Sequence, residues 1–312
     1  MAHSWAKLAR WRIARRWGAV ALLLCALIAC QGATGLTFQA ITYGEPSSPE
    51  CADSMLGLFA PEPEPAYEEV VVTCAGWTLH VPFGVDVTLR TAVSVIRTPS
   101  PGGRQVIPID ISPDGHRVAY LDVRQLRYLA TDLRGGSARP ITPVLTAEEL
   151  VGITSVVSSA DGRHFAVSTR ANRRTFVTDF ETGRTRTLDR VCFVYGLDDD
   201  RLVGNAACNG DADKAVSIRS DGAATPFRPP TAVRDLSPDL RRYIGFDGFS
   251  IFDTSTGRLV KRLPAGLEPL MWADSDTLVA RDDDVVAVDA TTGEQTPTGI
   301  PYSSTVVFGK VR

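Results

Sequence analysis

A chain of 312 residues has room for one large domain or two small ones, and its 26 glycines, 20 prolines and many Val, Ile, Thr, Phe and Tyr residues point to strands and turns. The formal charge is −3, with no basic block beyond the first residues, which disfavours a nucleic-acid role. Arginine outnumbers lysine 29 to 4, which reads as the coding bias of a GC-rich genome rather than a functional signal.

The N-terminus differs from the rest. "MAHSWAKLARWRIARRW" carries Lys7, Arg10, Arg12, Arg15 and Arg16 and no acid, and "GAVALLLCALIAC" is apolar from Gly18 to Cys30. A basic stretch before a short apolar run predicts an export signal over 1–29, and the run falls short of the roughly 20 residues that a stable span needs. Leu27-Ile28-Ala29-Cys30 resembles the bacterial lipobox. The resemblance implies cleavage before Cys30, lipid on the Cys30 thiol, and anchoring to the outer face of the cell membrane. The alternatives are a plain secretory signal or an uncleaved anchor. Loss of 1–29 takes the formal charge from −3 to −8.

Residues 30–68 read as an extended tether, rich in Pro, Glu and Ser through "YGEPSSPE" and "APEPEPAYEE". Export leaves Cys51, Cys74, Cys192 and Cys208 as an even set. Three pairings are open, and proximity in the chain favours Cys51–Cys74 and Cys192–Cys208. A zinc site is the rival reading, but no CxxC or neighbouring His supports it.

From Glu69 to Arg312 the chain repeats. Hairpins ending in Gly recur in "YLATDLRGG", "FVTDFETG", "VSIRSDG", "SIFDTSTG" and "VAVDATTG", with a weaker copy in "VSVIRTPSPGG". The aligned positions Arg97, Asp132, Asp179, Arg219, Asp253 and Asp289 stand 35, 47, 40, 34 and 36 residues apart. A second signature precedes the hairpins: "SPDGHRVAY", "SADGRHFAV" and "SPDLRRYIG", with degenerate copies in "LDDDRLVG" and "ADSDTLVA". Ser-Pro-Asp-Gly is turn chemistry, so Asp114, Asp161 and Asp239 read as turn formers. Four short strands per period near forty predict a β-propeller blade.

The pattern resembles the TolB-like, WD40-like (PD40) repeats of exported bacterial propellers, across about Gln105 to Gly299 and less clearly from Glu69. Five units fall near 105–142, 151–188, 191–228, 231–263 and 268–298. Pairing the terminal strand in Tyr302–Arg312 with the segment from Glu69 would close a six-bladed, all-β ring. Strands around "GLTFQAITYG" would make it seven.

Little in the sequence announces chemistry. There is no G-x-S-x-G, GxGxxG or P-loop. His80, His116 and His164 do not share a register and do not read as a metal pair. Asp198–Asp200, Asp282–Asp284 and the set Asn209, Asp211, Asp213 are the acidic candidates. Calcium in the last set is a weak expectation, since Lys214 stands where a calcium loop wants Gly. Phe165, Phe176, Tyr243, Phe249, Phe252, Trp77 and Trp272 are expected to pack between blades. The expectation is therefore a non-catalytic binding or scaffold protein without a cofactor, presenting a propeller face to a protein or peptide of the cell envelope. The alternative is an extracytoplasmic hydrolase or lyase with an acidic or metal site in the propeller channel.

Overall fold

A computed structural model describes residues 41–47, 51, 71–81, 85–98, 103–206, 215–300 and 307–310. These residues form an all-β, propeller-like arrangement. Four separate antiparallel sheets of four strands follow one another along the chain. They are β9–β12 (Ile153–Ser158, His164–Thr169, Arg174–Asp179, Thr185–Asp189), β13–β16 (Phe193–Leu197, Arg201–Asn205, Ala215–Arg219, Ala224–Pro226), β17–β20 (Val233–Leu236, Arg242–Gly245, Ser250–Asp253, Leu259–Arg262) and β21–β24 (Glu268–Trp272, Thr277–Arg281, Val285–Asp289, Gln295–Pro297). Each coincides within a few residues with one of the last four repeat units.

The remaining strands form one sheet of nine. It holds β1 (Ile41–Pro46), the long hairpin β2 (Val71–His80) and β3 (Val87–Arg97), the short β4 (Arg104–Val106), the unit β5–β8 (Asp110–Ile111, Arg117–Asp122, Arg127–Asp132, Arg139–Pro140) and β25 (Val307–Lys310). The unit β5–β8 joins β3 at the pairing of Ala92 with Asp122, where the Val123 N–H donates to the Thr91 carbonyl at 2.9 Å and the Thr91 hydroxyl donates to the Asp122 carboxylate at 2.6 Å.

The terminal strand does pair with the N-terminal part of the chain, but its partner is not the segment from Glu69. Ile41–Gly44 pair with Lys310–Val307, and β1 then pairs with β2. Strand β1 thus comes from within the stretch read as tether. The β-forming residues Ile41, Thr42 and Tyr43 precede the Pro- and Glu-rich run, which explains why it can join a sheet. Cys51 is bonded to Cys74 of β2, closing a loop across a sequence separation of 23. In the chain-entropy model such a loop contributes about 3 kcal/mol. Cys192 is disulfide-bonded as well, whereas Cys208, its expected partner, lies outside the described residues.

Alternation along the strands builds the arrangement. Successive side chains point to opposite faces of a sheet, so one strand feeds two apolar clusters. Val167 packs with Tyr128, Phe165 and Phe176, while its neighbour Ala166 packs with Val194 and Leu202. Leu202 and Val203 divide in the same way, as do Tyr243 and Ile244, and Leu278 and Val279. Tyr43 of β1 packs on the cluster of the β21–β24 sheet, which brings the first strand against the last sheet. Both faces of each sheet are apolar, hence the continuous apolar runs in the sequence. The first strands β5, β9, β13, β17 and β21 adjoin in that order, and β25 adjoins β5. They form the inner wall.

Candidate functional site

Three of the five turns joining first and second strands share one geometry. The Ser112 hydroxyl donates to the Asp114 carboxylate at 2.6 Å, and that carboxylate accepts from the His116 N–H at 3.0 Å. The Arg117 N–H returns to the Ser112 oxygen at 2.9 Å. Ser159, Asp161, Arg163 and His164 repeat these bonds, as do Ser237, Asp239, Arg241 and Arg242. Gly115 and Gly162 take φ of +72° and +66°, which is why glycine follows the Asp. These aspartates are occupied as turn formers, as the repeat implies.

The residue that starts the second strand then reaches the next sheet. Arg117 donates to the Gly162 carbonyl at 3.0 Å, pairs with Glu181, and lies over the Phe180 ring at 4.4 Å. Arg242 donates to Asp276 at 2.8 Å. His164 occupies the same place with Nδ1 3.2 Å from Asp199 and Nε2 3.7 Å from Asp179. These contacts bring the five turns to one end of the ring. His80 lies elsewhere, 3.2 Å from Glu45, 3.1 Å from Asp86 and stacked on Tyr43. The three histidines therefore sit in three different settings.

Three of these turns converge on a cavity of about 400 Å³. Its lining includes Asp161, Asp198, Asp199, Asp200 and Asp239, with Arg241 among them. Asp198–Asp200, singled out in the sequence, thus meet two turn aspartates. Asp282–Asp284 do not join them, because they form the turn between β22 and β23 at the far end of those strands. Asn209, Asp211 and Asp213 lie outside the described residues, as does Cys30. Among the described residues, no group of three His, Cys, Asp or Glu is placed to hold a metal ion.

Two further carboxyls escaped the sequence reading. Asp110 and Asp235 stand two residues before the turn serines Ser112 and Ser237, at the place filled by Val157 before Ser159 and Met271 before Ala273. Both lie deep among protein atoms yet keep some accessible surface, and both stand on inner strands, Asp110 on β5 and Asp235 on β17. Burial pushes Asp110 up to about 6, with Ser158 beside it offsetting part of the rise. Burial pushes Asp235 up to about 7, and the Asp110 charge adds to that rise. The Leu236 N–H, 2.9 Å from Asp235 Oδ1, works against it, as do the Trp272 N–H and the Arg234 charge. The signal was legible as Asp-(Ile/Leu)-Ser-Pro-Asp, which occurs at 110–114 and again at 235–239.

The aromatic expectations hold for Trp77, Phe165, Phe176, Tyr243 and Trp272, all buried, and Phe252 packs partly buried among them. Phe249 is a correction. It lies in the turn between β18 and β19 and is 40% exposed, because the turn Phe246-Asp247-Gly248-Phe249 projects from the sheet.

No known protein family and no curated protein matches the chain. Among solved structures it is similar to TolB from Acinetobacter baumannii at 13% identity, over 91% of this chain and 70% of that one, with a TM-score of 0.49. It is similar to a chain of a nidogen/laminin complex at 13% identity, over 72% and 88%, with a TM-score of 0.47. It is also similar to a chain of the mitotic checkpoint complex at 15% identity, over 78% and 74%, with a TM-score of 0.41. Each of these likenesses is one of fold.

Proposed function

We propose that this chain is a non-catalytic, extracytoplasmic binding or scaffold protein, held at the outer face of the cell membrane by lipid on Cys30. Its TolB-like body is a six-bladed propeller in this reading: the four separate sheets, the unit β5–β8, and a sixth blade of β25, β1, β2 and β3. One observation carries the binding role. Three successive turns bring five aspartates to a single cavity at one end of the ring, a cleft that suits a positively charged segment of a protein or peptide.

The test is photo-crosslinking in intact membranes. A crosslinker in place of Asp199 is expected to capture a discrete protein, and one in place of Asp283 at the opposite end is expected to capture none. Equal capture from both ends would sink the reading. The anchor has its own test. Cys30→Ser is expected to release the protein into the medium, and continued membrane retention would show an uncleaved anchor.

A second reading, an extracytoplasmic hydrolase or lyase, draws on the channel carboxyls. Groups held at about 6 and about 7 are suited to proton transfer near neutral pH. It requires turnover of a substrate panel that disappears in Asp235→Asn.

A further inference from the structure

We propose that the cleft between the β13–β16 and β17–β20 sheets takes an arginine side chain from the partner's basic segment, at the position where other sheets supply a cation of their own. This rests on the binding reading above and gives the partner a chemistry.

The repeat fixes that position. On the outer strands, Arg139 of β8 pairs with Ala130, Arg186 of β12 with Val177, and Lys261 of β20 with Ile251. Those residues in turn pair with Ala119, Ala166 and Ile244, each two residues into its second strand. All three cations cross to the next sheet and donate to the turn between its third and fourth strands. Arg139 reaches the Phe180 and Glu181 carbonyls, both at 2.9 Å, Arg186 the Ser220 carbonyl at 2.8 Å, and Lys261 the Thr292 carbonyl at 2.7 Å. Followed through Val203 and Ser217, the same ladder gives the position in the β13–β16 sheet to Thr225. Its hydroxyl turns back to the Ser217 carbonyl of its own sheet at 3.5 Å. Arg201, which starts its strand as Arg117 and Arg242 start theirs, also stays at home, 3.7 Å from Asp198. The last sheet carries Thr296 at the outer position, but its neighbour is the sheet of β1.

What Thr225 leaves is a cleft of about 430 Å³. One wall is the turn Asp253-Thr254-Ser255, the counterpart of the turns that receive Arg139 and Arg186. The Thr254 N–H donates to the Arg241 carbonyl at 2.8 Å, as those of Phe180 and Ser220 donate to Arg163 and Asp200. Thr254 Oγ1 is buried here without a hydrogen-bond partner. An unsatisfied buried hydroxyl is costly, and a donor entering the cleft removes that cost. Asp253 beside it is ionised at neutral pH, because hydrogen bonds from Ser255 and Thr256 hold its carboxyl down at about 2. Val203, Phe227 and Leu240 line much of the rest. A planar, weakly hydrated guanidinium suits such a wall better than an ammonium. The arginines at the cleft do not call for an anion, since Arg201 faces Asp198 and Arg241 lies 3.7 Å from Asp239. Arg241 lines both this cleft and the acidic cavity, so a segment held by the aspartates has the cleft within reach.

The test titrates the purified full chain with N-acetyl-arginine methylamide and with its citrulline counterpart, which has the same shape and no charge, by NMR. The arginine compound is expected to bind roughly tenfold tighter or better and to shift the Thr254 and Ser255 amides. Thr225→Arg supplies the crossing cation from within. It is expected to weaken binding roughly tenfold or more and to raise the unfolding midpoint by about 2–4 °C. Thr225→Val keeps the strand and leaves the cleft open, and is expected to change affinity less than about twofold. Undiminished binding to Thr225→Arg, equal binding of the citrulline compound, or a preference for N-acetyl-aspartate methylamide overturns the proposal. If Thr225→Arg does not fold, the wild-type amide shifts decide, and shifts that leave Asp253 to Ser255 untouched overturn it. In each of these cases crosslinking from position 199 still succeeds if the binding face is real, so the two failures are distinguishable.

Discussion

Asp235→Asn raises the unfolding midpoint by roughly 5–10 °C at pH 8 and changes it little at pH 4. The folded protein holds the Asp235 proton up to about pH 7, whereas the unfolded chain releases it near the ordinary value of 3.8. Between those values the folded state binds more protons, so stability falls as pH rises through that window, and the penalty is complete above about 7. Three pH units at ~1.4 kcal/mol each set an upper bound of about 4 kcal/mol. Water in the channel reduces that, and the midpoint gain given assumes ~2–4 °C per kcal/mol for a chain of this size. Asparagine keeps the Oδ1 acceptor for the Leu236 N–H, removes the charge and puts an amide NH2 in place of Oδ2. Thermal melts of both proteins from pH 4 to pH 8 check this, and parallel curves for wild type and variant would show that the carboxyl is not buried as described.

Arg117→Ala is expected to cost about 1–3 kcal/mol, the range for leaving a buried acceptor without its donor, because the Gly162 carbonyl loses its bond whereas Glu181 is half exposed and regains water. Arg117 is only 9% exposed and joins the β5–β8 unit to the β9–β12 sheet through the Gly162 carbonyl, Glu181 and the Phe180 ring. Arg117→Met keeps part of the contact with Phe180 and should recover part of the loss. Denaturant midpoints measure both. A cost below about 1 kcal/mol would place this contact with ordinary surface pairs.

What was legible in the sequence is what is local. The Ser112 to Arg117 bonds close within six residues, so their residue types recur visibly and mark the strands on either side. The contacts between sheets were not legible. Arg117 meets Gly162 and Glu181 at separations of 45 and 64 residues, and nothing near Arg117 in the chain announces them. Asp110 and Asp235 stayed hidden for another reason. Their counterparts Val157 and Met271 are apolar, so the position looked variable until the turns fixed its height in the channel. Strands around "GLTFQAITYG" were legible only as an addition that would make a seventh blade, because the few β-forming residues there are followed at once by "EPSSPE"; pairing with β25 and β2 turns Ile41–Pro46 into β1.

The placement of β1 also decides how the body would bear a load. A pull arriving from the N-terminal side of Ile41 falls first on hydrogen bonds to two neighbours at once, β25 and β2. Should both rows give way, the extracted chain runs only as far as Cys51, where the bond to Cys74 carries the force into β2. Under oxidising conditions a pull from the N-terminal side can therefore free one strand and a few residues, after which the load passes through Cys74 to β2 and its pairing with β3.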